Sequence, residues 1–249
     1  MLNRCTLSTP ISTLLVLVFF IAAPSLSFAQ DISLNLGAEG SLATRSIQLM
    51  VLITLLSLVP GLAVMVTCFP FIVTVLSILR QAIGLQQSPP NMLIISLALF
   101  LTYFVMEPVF TEAWQVGAQP FTQGELELEP AFSAAMEPFR IFMANRIDPD
   151  TFAHLAELRP GYSGDPAATS PLSILVPSFL LSEIERAFQI GFLVFLPFLI
   201  IDLVVAAILM SMGMMMVPPA IVSLPFKLAF FVVADGWSLI SSALVRSYF

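Results

Sequence analysis

Polar positions are scarce along this chain, and where they fall divides it into segments. Residues 46 to 79 form a run of 34 without a charged side chain, interrupted only by Pro60-Gly61 and Pro70. A further 26 uncharged residues run from Gln81 to Met106, with "SPPN" at Ser88 to Asn91 marking a turn. Ala187 to Ala234 is 48 residues with two charges, Asp202 and Lys227, and a break at Gly213 to Pro219 divides it. Crossing the hydrocarbon core of a bilayer takes about 20 helical residues. The pattern therefore predicts four apolar segments paired as two hairpins. The first helix is expected from about Ile47 to Phe69, kinked at Pro60, with the apolar pattern continuing towards Arg80. The second is expected from Asn91 to Val109. The last two flank the Gly213 break.

Between the hairpins the period changes. Phe132, Met136, Phe139, Phe142 or Met143, and Ile147 recur at helical spacing, which predicts an amphipathic helix. "DPDTF" predicts a second, short helix, with Asp148 as cap and Pro149 at the first helical position, where its missing N–H is harmless. "RPGYSGDPAATSP" reads as a loop. "SEIE" at Ser182 to Glu185 fits a capping box, Ser182 as cap and Glu185 reaching back.

Composition agrees with a membrane protein: 58% of residues are hydrophobic and 10% charged, where a soluble domain carries about 25% charged residues. The charge of −7 is unevenly placed. From Glu107 to Ser170 ten acids face three arginines, a balance of −7, so the remainder is neutral and no basic nucleic-acid-binding face is present. Residues 1 to 29 read as a secretory leader: Arg4, an apolar Leu14 to Ala23, and "SFA" before a cut after Ala29. An uncleaved extra helix is the alternative. The leader places the mature N-terminus outside, with both hairpin tips inwards, and Arg80 at the first tip agrees. The fold class expected is an all-α membrane protein, two long kinked helical hairpins plus a small helical extracytoplasmic domain after a cleaved signal peptide. Its divisions are the signal peptide 1–29, an N-terminal extracytoplasmic segment 30–46, a first transmembrane hairpin 47–109, an acidic domain 110–170, and a second transmembrane hairpin 171–249.

Few residues carry chemistry. Cys5 leaves with the leader and Cys68 stands alone in an apolar run, so no internal disulfide is expected. With His154 the one histidine, neither a zinc site nor a histidine-based triad is expected, and no Walker-type glycine-rich loop occurs. No enzyme activity, cofactor or metal is expected. Asp202 and Lys227 differ: an ionised group near mid-membrane costs about 2.5–3.5 kcal/mol and usually pairs or meets water. Asp202 lies eleven residues before Gly213 and Lys227 eight after Pro219, depths that match within roughly one turn. Glu183 rivals Asp202 as the partner of Lys227, but it lies thirty residues from Gly213, roughly 45 Å along a helix. It could reach Lys227 only across a subunit boundary.

Five of the twelve methionines fall in "MSMGMMM": Met210, Met212, Met214, Met215 and Met216. Three readings stay open for them. They fill a core, as flexible thioether side chains do; they hold Cu(I); or, repeated by several subunits, they line a gate at a backbone break.

Four blocks together resemble one family: "RQAIGLQQSPPN" (Arg80 to Asn91), "PSFLLSEIERAFQIGF" (Pro177 to Phe192), "LPFLIIDLVVAAILMSMGMMMVPP" (Leu196 to Pro219) and "SLPFKLAFFVVADGW" (Ser223 to Trp237). They are similar to the FliP/SctR family, the P subunits of bacterial type III export gates, and the leader favours the flagellar branch. The likeness runs from about Arg45 to the end, while Gly117 to Pro130 carries little of it. It implies an inner-membrane complex in the flagellar basal body, five copies of such a chain with the Q and R gate subunits. That complex is a closed, helically arranged entry that passes unfolded proteins outwards, driven by a separate ATPase and the proton gradient. It implies that the acidic domain is periplasmic and that Met210, Met212, Met214, Met215 and Met216 close the pore. It also implies that Lys227 pairs with acids of a neighbouring copy, which brings Glu183 forward, and that the hairpins can assemble above the bilayer plane. A Cu(I) transporter and a non-conducting assembly scaffold are the rival readings.

Overall fold

The structure is a computed structural model that describes residues 42–85, 88–159, 168–214 and 216–249. The leader over 1–29, the segment from 30 to 41, most of the "RPGYSGDPAATSP" loop and Met215 lie outside the described residues. Among the described residues every regular element is a helix. The chain divides into two compact units, Met1–Leu52 and Ile53–Phe249. Of the first, the described part is the opening of helix α1 (Leu42–Met65), whose side chains from Arg45 to Leu52 are all exposed.

In the second unit α1 continues through Pro60 to Met65. The single helix expected to reach Phe69, with its pattern running on to Arg80, is two helices. Thr67 returns its backbone N–H and its hydroxyl to the Val64 carbonyl, at 3.3 and 2.8 Å. The chain then restarts at Cys68 as α2 (Phe69–Ile83). Pro70 is the reason: it has no N–H to give to residue 66 and its ring would crowd that carbonyl, so it fits only a first turn.

Helix α2 is the axis of this unit. Phe71, Ile72, Val75, Leu76 and Leu79 have no exposed surface, enclosed by α3 (Asn91–Ala113), α7 (Leu172–Ser211) and α8 (Pro219–Val233). Helix α3 turns Ile94, Ala98, Thr102, Val105 and Met106 inwards, a helical period, and leaves Met92, Phe100 and Phe104 exposed. The close approach of α7 to α2 needs Gly191, because a Cβ there would fall 2.4 Å from Ile78 Cδ1.

The second apolar segment also runs further than Val109. From Ala113 the helix passes through one wide π-type turn, Trp114–Ala118, into α4 (Gln119–Thr122). Helix α5 (Leu128–Ala144) and α6 (Pro149–Glu157) follow. Met143, Ile147 and Phe152 make a second core with Ile174, Leu175 and Phe179 of α7. Phe132, expected on the apolar face of α5, is exposed. The "DPDTF" start forms as its chemistry dictates: Asp148 Oδ1 accepts the Thr151 N–H at 3.0 Å, and Pro149 opens α6.

The capping box at Ser182 does not form. Helix α7 begins ten residues earlier, after Pro171, and Ser182 sits inside it with its hydroxyl donating to the Ser178 carbonyl at 2.8 Å. The same oxygen accepts the Asp148 N–H at 2.9 Å, so it caps no donor of its own helix. After Val233 the chain bends by 61° through Asp235, which adopts φ 48°, into α9 (Gly236–Arg246). Among the described residues, three helical stretches are long and apolar enough to cross a membrane, Arg45–Met65, Asn91–Thr122 and Leu172–Ser211, and the bent α8–α9 pair makes a fourth if it counts as one span.

Candidate functional site

The methionine run forms the tip between α7 and α8. Helix α7 stops at Gly213 because that residue takes φ 76°, a conformation glycine adopts freely and other residues do not. The Gly213 N–H then reaches the Met210 carbonyl at 3.0 Å and the Met214 N–H reaches Leu209 at 2.9 Å. These two bonds satisfy carbonyls that the ended helix would otherwise leave open. Pro218 and Pro219 then start α8, with Pro219 at its first position. Glycine behind and prolines ahead make the turn a property of the local sequence.

All four described methionines of the run are exposed, Met214 at 43% and Met216 at 96%. They fill no core within one chain. Their thioethers, with Ile221 nearby on α8, make an uncovered apolar tip.

Below the tip lies a charged base. Lys227 Nζ is 2.7 Å from Asp202 Oδ2 and also donates to the Ala82 carbonyl at 3.0 Å. Ser223 donates to Asp202 Oδ1 at 2.6 Å. Ala82 lies in the last turn of α2, whose carbonyls lack helical partners and carry the negative end of the helix dipole. One ammonium therefore ties together α7, α8 and the end of α2. Its side chain is 7% exposed and that of Asp202 36%.

Glu183 is not part of this base. It is wholly buried further back on α7, where Arg146 Nε meets Oε1 at 3.0 Å and the Tyr248 hydroxyl donates to Oε2. The structure thus brings Asp202 to Lys227 within one chain and places Glu183 with other partners. Sequence reasoning does not single out Ser223, Arg146 or Tyr248. A signal for Ser223 exists, since it lies one turn before Lys227 on the same helix face. Arg146 and Tyr248 carry no spacing signal.

The remaining chemistry-bearing residues stand apart. His154 is exposed on α6, and Cys68 is buried with its thiol directed at the Thr102 carbonyl, 3.9 Å away. Among the described residues no three of His, Cys, Asp and Glu gather as a metal site would require.

The model of the FliP family matches residues 52–244. A flagellar biosynthetic protein FliP from Caulobacter vibrioides is 50% identical over 226 residues, which cover 90% of this chain and 85% of that one. The protein of the same name from Agrobacterium fabrum is 45% identical over 244 residues, 94% of this chain and 98% of its own. The one from Bacillus subtilis is 43% identical over 205 residues, 82% and 93%. The matched region takes in both the methionine tip and its charged base, and the chain belongs to the FliP family.

Proposed function

We propose that this chain is a pore-forming subunit of the flagellar type III export gate, passing unfolded flagellar proteins across the bacterial inner membrane without chemistry of its own. Family membership, relatives named for flagellar biosynthesis and three or four span-length apolar helices support a membrane role in the export apparatus. Several copies, with the Q and R gate subunits and the apparatus ATPase, would complete the passage. The signal peptide is removed, and residues 110–170 form the acidic domain on the periplasmic side.

The observation that carries the pore reading is the exposed methionine tip. It sits on a turn fixed by Gly213, Pro218 and Pro219 and stands above a base pinned by Lys227 and Asp202. A surface this apolar is stable only against lipid or other protein. Repeated around an axis, unbranched thioether side chains would meet, exclude ions, and still deform around varied cargo.

Replacing Met210, Met212, Met214, Met215 and Met216 together by alanine tests this. The assembled complex should conduct small ions in planar bilayers while the parent stays closed. Unchanged conductance in a complex of normal composition would remove the closure role and favour a scaffold. Stoichiometric Cu(I) bound by the parent and lost in the variant would favour the metal-transport reading.

A further inference from the structure

The methionines of this chain occupy three kinds of place. Met106 and Met143 have no exposed surface and belong to the two cores. Met50, Met65 and Met92 are uncovered but stand singly, on α1 and at the start of α3. Met210, Met212, Met214 and Met216 are uncovered together, at one turn. That turn owes its shape to groups without sulfur. The Gly213 N–H bonds the Met210 carbonyl and the Met214 N–H bonds the Leu209 carbonyl, both through the main chain. The base below is built from Ser223, Asp202 and Lys227. The surface chemistry of the tip is therefore separable from its shape. Leucine would give an equally apolar surface. What a thioether adds is a sulfur lone pair that can take up an oxygen atom.

We propose, resting on the closure reading, that the methionine tip is also a modification site: an oxidation-sensitive closure whose sulfurs each take one oxygen from a peroxide. A sulfur lone pair attacks one peroxide oxygen, and the S–O bond forms as the O–O bond breaks. The departing hydroxide takes the proton of the transferred oxygen and leaves as water. Sulfur loses two electrons and the peroxide gains them. The sulfoxide is polar and chiral, and sulfoxide reductases reverse it. A closure that seals an aqueous passage meets water on both faces, so some of its sulfurs stay within reach of a small oxidant however the copies pack. Met216, 96% exposed, is the first expected to react. A sulfoxide oxygen without a hydrogen bond resists burial against apolar neighbours. Oxidised tips therefore hydrate and separate where thioethers met, while the base, whose groups do not react, keeps its geometry.

The test treats the purified membrane complex with hydrogen peroxide, reading sulfoxide by mass spectrometry and ion conductance in planar bilayers. The tip methionines should each gain the mass of one oxygen before Met106 and Met143 do. Conductance should rise from the closed baseline to that of the five-alanine variant. Methionine sulfoxide reductases, one for each epimer, should reverse both changes. Replacing Met210, Met212, Met214, Met215 and Met216 together by leucine keeps the tip apolar without sulfur. That complex should stay closed before and after peroxide. A tip that takes up no oxygen in the assembled complex overturns the proposal, and so does a leucine variant that leaks after peroxide. If the leucine variant does not assemble, the parent decides alone: a leak that appears without tip sulfoxide, or outlasts its reduction, overturns the proposal. An alanine variant that conducts beside an oxidised parent that stays closed removes the sensitivity and leaves the closure standing. If neither conducts, the closure falls and the sensitivity falls with it.

Discussion

Lys227 and Asp202 share a salt bridge but do not share burial, and the difference sets which of them the protein can lose. The ammonium is 7% exposed and has the Ala82 carbonyl as its other acceptor, whereas the carboxylate is 36% exposed and keeps Ser223. Removing Asp202 leaves a charge enclosed without a counter-ion, a situation that costs about 3–5 kcal/mol. Removing Lys227 leaves a carboxylate that can turn towards solvent or lipid headgroups, at a cost nearer 1 kcal/mol. Asp202→Ala should therefore lower the melting temperature of the purified protein more than Lys227→Met does. Equal losses, or the reverse order, would mean that the base is not held as the single chain shows it. Gly213 is the other residue on which the tip depends. Any side chain at φ 76° adds about 1–2 kcal/mol of backbone strain, so Gly213→Ala should loosen the turn without touching the base.

At the scale of elements, two contacts make separate predictions. Helix α6 begins on Asp148, whose carboxyl is held below its ordinary value of 3.8 chiefly by the Thr151 N–H it accepts. A depressed folded value means the cap supports α6 at pH above the ordinary carboxylate value. That support is lost as pH falls through the folded value, when the proton occupies the accepting oxygen. Amide exchange of Thr151, corrected for its intrinsic pH dependence, should rise below about pH 4 in the native protein and show no such step in Asp148→Asn. Helix α7 approaches α2 over Gly191, and a Cβ 2.4 Å from Ile78 Cδ1 forces that side chain to move. Gly191→Ala should cost about 1–3 kcal/mol, recovered in part by Ile78→Val, which removes the clashing atom; no recovery would place the strain elsewhere. These elements also mark what a sequence can and cannot tell. Asp148-Pro149, Gly213 and Pro218-Pro219 act through their own backbone chemistry, so the starts and stops they dictate are legible from a few residues. The start of α7 is not, because Ser182 to Glu185 satisfies a local capping pattern while the Asp148 N–H, 34 residues away, claims the serine oxygen. The break before α2 is half legible: Pro70 is visible, but a proline can kink a helix or begin one, and the sequence alone does not decide between them. Arg146 and Tyr248 meet Glu183 only through the fold, which no spacing rule reaches.

For the whole molecule the distribution of exposed apolar surface is the governing fact. Helix α1 has no buried residue across its apolar window, and α7, 40 residues long, leaves Phe188, Phe192, Leu199, Ile200 and Leu203 uncovered. A chain with this surface is stable only where lipid or other subunits replace water. The polar segment between the hairpins behaves otherwise: Glu125, Glu127, Glu129 and Glu157 are all outside the core. A run of acids that long cannot rest in hydrocarbon, so it fixes a side of the membrane for everything joined to it. If α3 and α7 lead away from that side, the Met210 to Met216 tip lies on the opposite one. Single cysteines answer this directly, because Cys68, the one described native cysteine, is enclosed. In intact cells with a permeable outer membrane, a maleimide that cannot cross the inner membrane should label Glu157→Cys and leave Gln81→Cys unlabelled until the inner membrane is opened. The reverse pattern would invert the proposed topology. Labelling of both positions in intact cells would mean that the assembled hairpins stand above the bilayer plane instead of crossing it.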